Sequence, residues 1–213
     1  MASLTIDAQH DVLVGIDIQN DFCPGGALAV AGGDQVVPLT NALMASFERV
    51  LLTQDWHPTG HSSFASVHDG AVPYDNIEAA YGVQTLWPDH CVQGTEGAAF
   101  HCDLNGDRAE LVIRKGYRRE IDSYSALFEN DHTTPTGLAG YLRERGLTRL
   151  FMTGLATDFC VAYSALDAKT AGFEVYVIED ACRAIDLGGS LAAAWEQMSA
   201  AGVNRISSAD IIN

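Results

Sequence analysis

The sequence predicts an α/β fold, a mostly parallel sheet of about six strands with helices on both faces. Three observations carry that reading. Short runs rich in Val, Ile and Leu recur along the chain, helical patterns fill most of the intervals between them, and glycines stand where those patterns end.

The runs fall at 12–16, 49–53, 111–114, 149–153, 174–178 and 203–207. They are too short for helices and too uniformly apolar for half-solvated strands, so they read as strands buried on both faces. Apolar residues at three- and four-residue spacing predict helices over 34–47, 136–145, 158–171 and 188–200, with Gly146, Gly172 and Gly202 as C-terminal stops. Strand, helix, strand in this order implies right-handed crossovers and a parallel sheet. Residues 55–110 break the rhythm: they carry no long amphipathic run but hold Trp56 and Trp87 with many Gly, Pro and His. So long an irregular excursion is usually functional or disordered, and its aromatic content disfavours disorder. The chain therefore reads as one domain over 1–213 with 55–110 as an inserted, loop-rich segment. A length of 213 residues and 47% hydrophobic content suit one core, and no repeat or linker marks a second.

Composition excludes several partners. Twelve Lys and Arg against twenty-eight Asp and Glu give a formal charge of −16, which repels phosphate backbones and anionic lipid. Nucleic acid and membrane are not expected partners; a small molecule is. No segment has the length and apolarity of a membrane helix, and the N-terminus lacks the pattern of a secretory signal. The five cysteines, Cys23, Cys91, Cys102, Cys160 and Cys182, are scattered and form no CxxC pair. That argues against a disulfide framework and for a reducing, cytoplasmic location. The sequence does not choose between a monomer and a homo-oligomer.

Reactive side chains fall at the ends of the predicted strands. Asp17 follows 12–16, Asp55 and His57 follow 49–53, Lys115 follows 111–114, and Cys160 lies in the turn after 149–153. Ligand crevices of open parallel sheets lie at the carboxyl ends of the strands, so these groups can converge. Singly they read otherwise: Asp17 as a helix cap, Lys115 as a solvated strand end, Cys160 as a buried helix cysteine. A thiol in the first turn of a helix feels its positive end, and Lys115 nearby would add a second positive charge. Both favour thiolate, so iodoacetamide is expected to reach Cys160 before the other four cysteines. Asp55, His57 and His90 offer one carboxylate and two imidazoles, a set that suits Zn²⁺, Fe²⁺ or Mn²⁺ with coordination positions left open. His61 is left outside that set. His10, His68, His101 and His132 have no partner at metal-ligand spacing and read as surface residues.

Four motifs taken together carry a resemblance. They are Asp17-Ile18-Gln19-Asn20-Asp21-Phe22 followed by Pro24-Gly25-Gly26, Thr53-Gln54-Asp55-Trp56-His57-Pro58 followed by His61-Ser62-Ser63-Phe64, Trp87-Pro88-Asp89-His90-Cys91, and Gly154-Leu155-Ala156-Thr157-Asp158-Phe159-Cys160-Val161. In this order, with Arg114-Lys115-Gly116 before the fourth, the chain resembles the nicotinamidases of the isochorismatase-like cysteine hydrolase superfamily over nearly its whole length. The resemblance implies that Cys160 attacks an amide carbon, that Asp17 serves as general base and then general acid, and that Lys115 orients Asp17. It implies an oxyanion site at the backbone N–H groups of Ala156 and Cys160, with a cis peptide between Leu155 and Ala156. One divalent ion per chain, Zn²⁺ first with Fe²⁺ or Mn²⁺ as alternatives, would sit on Asp55, His57 and His90. Phe22, Trp87 and Tyr124 would wall the substrate site. The expected reaction is hydrolysis of nicotinamide, and of pyrazinamide, in NAD salvage. Three other readings compete. An amidase or isochorismatase of the same superfamily is opposed by the metal trio, which the isochorismatase pattern lacks. A silent binding module would have no need of Asp17, Lys115 and Cys160 together, and a thiol redox protein would need a resolving cysteine near Cys160.

Overall fold

The computed structural model describes residues 4–211. Six strands form one parallel sheet: β1 (Asp11–Ile16), β2 (Arg49–Asp55), β5 (Leu111–Lys115), β6 (Arg149–Leu155), β7 (Glu174–Arg183) and β8 (Asn204–Ile206). Their order across the sheet is β5-β2-β1-β6-β7-β8. The chain builds outward from β1 to one edge, crosses back, and continues from β6 to the other, so the order reverses between β1 and β6. Side chains carried past the ends of those two strands meet in the crevice that such a reversal opens.

Strand alternation divides the core between the two faces. Val12, Val14, Ile16, Leu150, Met152, Val175 and Val177 face α2 (Leu138–Glu144), α3 (Ala162–Thr170) and α4 (Ser190–Ala200). Leu13, Val50, Leu52, Phe151 and Ile178 face α1 (Val36–Met44) and much of the 55–110 excursion. Helix α3 presents Ala162, Ala165 and Ala168 to the sheet, and these small side chains let its backbone come close. The helices end where glycine takes over: Gly146, Gly172 and Gly202 have φ of 71°, 92° and 77°, a left-handed turn that a Cβ disfavours.

Several boundaries move from their sequence expectation. Strands β2, β5 and β6 run on through Asp55, Lys115 and Leu155, so the first two of these chemical residues end strands rather than follow them. Strand β7 continues to Arg183, five residues beyond the apolar run, because its end pairs with the end of β6. The runs at 111–114 and 203–207 are not buried on both faces. They are the sheet edges, and Val112 is 41% exposed. Helix α3 begins after a π-helical turn, Thr157–Val161, rather than as one regular helix. The excursion holds an antiparallel hairpin of β3 (Asn76–Ala79) and β4 (Gly82–Thr85), which the polar composition of those residues concealed.

Candidate active site

The ends of β1, β2, β5 and β6 bring Asp17, Asp55, Lys115 and Cys160 into one buried cluster. Lys115 is its hub. The Nζ atom lies 2.8 Å from Asp17 Oδ2, 2.6 Å from Asp55 Oδ1 and 3.4 Å from Cys160 Sγ, and donates to the Ser123 carbonyl at 2.8 Å. A carboxylate oxygen of Asp17, one of Asp55 and the Cys160 sulfur all lie within 4.8 Å of one another. Asp17 has φ of 47°, an uncommon backbone state for a residue with a side chain. Thr53 holds it there: its hydroxyl donates to Asp17 Oδ1 at 2.6 Å and accepts from the Asp17 N–H at 3.1 Å. Gly154, with φ of 116°, lets β6 pass β1 at this level, since a Cβ there would stand 2.1 Å from the Ile16 carbonyl oxygen. The Leu155–Ala156 peptide is cis.

Burial dominates the charge states. It raises Asp17 above the usual carboxylate range, although Lys115 pulls the other way. For Asp55, burial is outweighed by Lys115 and His57, and the group stays well below that range. Lys115, buried yet facing two carboxylates, is held charged well above its ordinary value. The Cys160 thiol is pushed well above its ordinary value by burial, with Lys115 opposing the rise and Asp17 and Asp55 adding to it. This corrects the sequence expectation of a depressed thiol pKa: the helix turn and the lysine are in place, but the sulfur is desolvated between carboxylates. The labelling order changes with it. Cys102, the one exposed cysteine, is expected to react with iodoacetamide well before Cys160, as mass spectrometry of a time course would report. Faster alkylation of Cys160 would mean that its resting form is thiolate after all.

On the other side of Asp55 lie His57 and His90. Their Nε2 atoms stand 3.5 Å and 3.8 Å from Asp55 Oδ2, beyond good hydrogen-bond length. Their Nδ1 atoms are committed to backbone carbonyls, His57 to Gly116 and His90 to Pro88, at 2.9 Å and 2.8 Å. As donors to those carbonyls, both rings present Nε2 as a lone pair, the arrangement that outer-shell partners impose on metal-ligating histidines. Two lone pairs and a carboxylate oxygen then face one another with no proton between them, an arrangement a cation relieves. The residues present fit a divalent ion. The same negative field raises the pKa of His57, Asp55 prevailing over the burial that opposes a charge. Gly116 is required here, because a Cβ would stand 2.5 Å from the His57 ring. His61 lies against His57, 4.4 Å between ring centroids with the planes tilted by 40°, but its Nδ1 pairs with the Ser63 hydroxyl and its Nε2 donates to the Arg118 carbonyl. Both nitrogens are occupied, so it stays outside the set.

A narrow cleft opens onto these groups, lined by Phe22, Trp87 and Tyr124 together with Asp55, His90, Ala156 and Cys160. The sequence missed Leu28, Asp122, Phe159 and Ile185, which complete the lining. Phe159 meets Trp87 edge-on at 4.9 Å and Tyr124 at 5.6 Å, so the aromatic wall is continuous. Its place beside Cys160 in the fourth motif was the available signal. Ile185 offered none, since it reaches the cleft only because buried Asp158 accepts the N–H groups of Ile185 and Asp186 at 3.0 Å and 2.8 Å. Two more side chains also went unread, buried Gln19 and half-buried Asp21. Gln19 bridges to the Asp55 backbone in both directions, and Asp21 accepts the Cys91 N–H at 2.7 Å, fixing the loop that carries His90. Of the remaining histidines, His10 and His132 are exposed while His68 and His101 are half-buried. Contrary to expectation His101 does have neighbours, Cys102 and Asp103, but the group is open to solvent and His101 Nδ1 already accepts the Asp103 N–H.

Comparison with known proteins agrees with this geometry. A family model described as the isochorismatase domain matches residues 11–210. A nicotinamidase from Acinetobacter baylyi is 55% identical over 205 residues, covering 96% of each chain. A solved nicotinamidase/pyrazinamidase from Acinetobacter baumanii superposes with a TM-score of 0.94 at 57% identity, covering 95% of this chain and 98% of that one. A pyrazinamidase from Pyrococcus horikoshii, solved in complex with zinc, gives a TM-score of 0.76 at 35% identity over 93% of this chain and 99% of its own. The cysteine at the reversal of the sheet, the lysine-bridged carboxylates behind it and the histidines beside it thus occur on a chain that belongs to the isochorismatase-domain family, within its nicotinamidase/pyrazinamidase group.

Proposed function

We infer that the chain hydrolyses nicotinamide to nicotinate and ammonia, and pyrazinamide likewise, with Cys160 as nucleophile. The observation that carries this is the contact of one lysine with both Asp17 and Cys160 at the base of an aromatic-walled cleft. With its pKa raised by burial, the sulfur rests as thiol and needs a base at the moment of attack. Asp17, itself raised and therefore a stronger base than an ordinary carboxylate, takes the thiol proton as sulfur bonds to the carboxamide carbon. Charge developing on the carboxamide oxygen is met by the N–H groups of Ala156 and Cys160. Asp17 returns the proton to nitrogen, the C–N bond breaks, and ammonia departs. Water, deprotonated by Asp17, then attacks the thioester and expels the Cys160 sulfur, which recovers its proton as nicotinate forms. Lys115 keeps Asp17 aimed throughout.

Asp55, His57 and His90 would hold a divalent ion, Zn²⁺ by preference over Fe²⁺ or Mn²⁺. When bound, such an ion supplies a Lewis acid for the pyridine nitrogen. Phe22, Trp87 and Tyr124 clasp the ring faces, so the amide is presented rather than merely admitted. The same reading treats 1–213 as one domain with 55–110 inserted, acting in the cytoplasm in NAD salvage. No helix among the described residues is long and apolar enough to cross a membrane.

Ammonia release from nicotinamide, pyrazinamide and benzamide, before and after dialysis against a chelator, tests this. Nicotinamide and pyrazinamide should turn over, and chelation should depress both far more than benzamide, which has no ring nitrogen. Full nicotinamide turnover by protein in which elemental analysis finds no metal would remove Asp55, His57 and His90 from the scheme and leave the cysteine hydrolase.

A further inference from the structure

A buried carboxyl group beside the nucleophile serves neither the bond-breaking chemistry nor the metal trio. Asp158 is 5% exposed and stands in the π-helical turn Thr157–Val161, two residues before Cys160. Single π-helical turns occur frequently at functional sites, and this one carries two of the residues that line the cleft, Phe159 and Cys160. The Asp158 side chain reaches instead to the segment between β7 and α4. Its Oδ1 accepts the Ile185 N–H at 3.0 Å, and its Oδ2 accepts the Asp186 N–H at 2.8 Å and the hydroxyl of Ser190, the first residue of α4. Both oxygens are therefore committed to one loop.

That loop needs an anchor. The ladder between β6 and β7 ends at the pair Leu155 and Arg183, so residues 184–189 have no sheet partner. Asp186 has φ of 54°, which turns the chain directly after Ile185, and Leu187 is 38% exposed. Ile185 itself is half-buried and lines the cleft with Leu28 and Phe159. An apolar wall held in place excludes a ring substituent that a displaced wall admits. Asp158, bonded to Ile185 from within the Cys160 turn, thus sets where that wall stands relative to the nucleophile. We propose that Asp158 is a positioning residue for ring selectivity, fixing Ile185 so that the cleft takes carboxamides of unsubstituted six-membered aromatic rings and excludes their ring-methylated derivatives. This rests on the hydrolase reading above.

The test compares kcat and KM for nicotinamide and for the ring-methylated nicotinamides. Ile185→Ala, which removes the wall, should raise kcat/KM for at least one methylated amide relative to nicotinamide by about tenfold or more, the worth of a methyl-sized space in an apolar pocket. Asp158→Asn keeps the shape of the side chain but offers one oxygen in place of two, so Ile185 or Asp186 loses its acceptor. It should favour the same methylated amide, mainly through KM, and should add little in an Ile185→Ala background, because both changes act through one wall. Ser190→Ala removes a single donor to Asp158, should shift the ratio in the same direction by less, and carries the test if Asp158→Asn does not fold. Unchanged ratios in Ile185→Ala overturn the proposal. So does a kcat lowered alike for every amide in Asp158→Asn, which would make the residue an anchor of the fold alone, and so does an effect that adds in full to that of Ile185→Ala. Where the asparagine variant does not fold, unchanged ratios in Ser190→Ala overturn it. Wild-type protein that releases no ammonia from nicotinamide overturns the hydrolase reading itself and this inference with it.

Discussion

Cys160→Ala is expected to reduce ammonia release from nicotinamide to less than about a hundredth of wild type, while the protein stays folded. The sulfur is the one nucleophile lining the cleft beside a base, and its removal leaves water without a route through a thioester. The fold should tolerate the change. Cys160 belongs to a core that already accepts alanine at 162, 165 and 168 on the helix that follows it, and its truncation deletes one sulfur from the edge of a cleft rather than from a sealed interior. Cys160→Ser is the sharper comparison, because a hydroxyl is nearly isosteric but far harder for Asp17 to deprotonate. Its turnover should also fall below about a hundredth, and intact-protein mass spectrometry should find an acyl adduct with wild type but not with alanine. Turnover by Cys160→Ala near the wild-type rate would end the covalent mechanism, whatever else the cleft binds.

Much of this architecture is legible in the sequence, and what is not has definite causes. The apolar runs located all six strands of the main sheet, because strands buried against helices must be apolar. Their ends were misjudged where polar residues remained in the sheet: Asp55 and Lys115 are strand residues because their side chains satisfy each other inside it. The hairpin at 76–85 escaped because its side chains are mostly exposed, with Gln84 the buried exception. Asp17, Lys115, Cys160, Asp55, His57 and His90 could be proposed because reactive types fall at strand ends within recognisable motifs. Asp122, Asp158, Gln19 and Thr53 could not, since each acts through hydrogen bonds to residues more than twenty-five positions away, a relation that no local pattern encodes. The pKa of Cys160 was misjudged for a related reason. Helix position and a nearby lysine are visible in sequence, whereas desolvation and the angle from which two carboxylates approach are not.

Lys115 tests how far site and fold depend on one another. The residue is wholly buried and is the cation that both Asp17 and Asp55 contact. Lys115→Met keeps most of the side-chain volume and deletes the charge, leaving two carboxylates uncompensated within one desolvated space. Breaking a buried ion pair from one side costs about 3–5 kcal/mol, since the remaining charge keeps its desolvation penalty and loses its partner. For a domain of this size the melting temperature should fall by roughly 10 °C. The pH dependence follows from the sign of the shift. Without the lysine, Asp17 and Asp55 have folded-state pKa values above their unfolded ones, so the variant is least penalised where both are protonated and loses stability as pH rises through the raised values. The deficit relative to wild type should therefore shrink as pH is lowered. Adding Asp17→Asn to Lys115→Met removes one of the stranded charges and should return part of the lost stability, although turnover stays absent because the base has gone. Melting curves of the single and double variants across pH decide the matter. A Lys115→Met protein that melts with wild type at neutral pH would mean that the carboxylates are neutral in the folded chain, and that Lys115 does not hold Asp17 ready as a base.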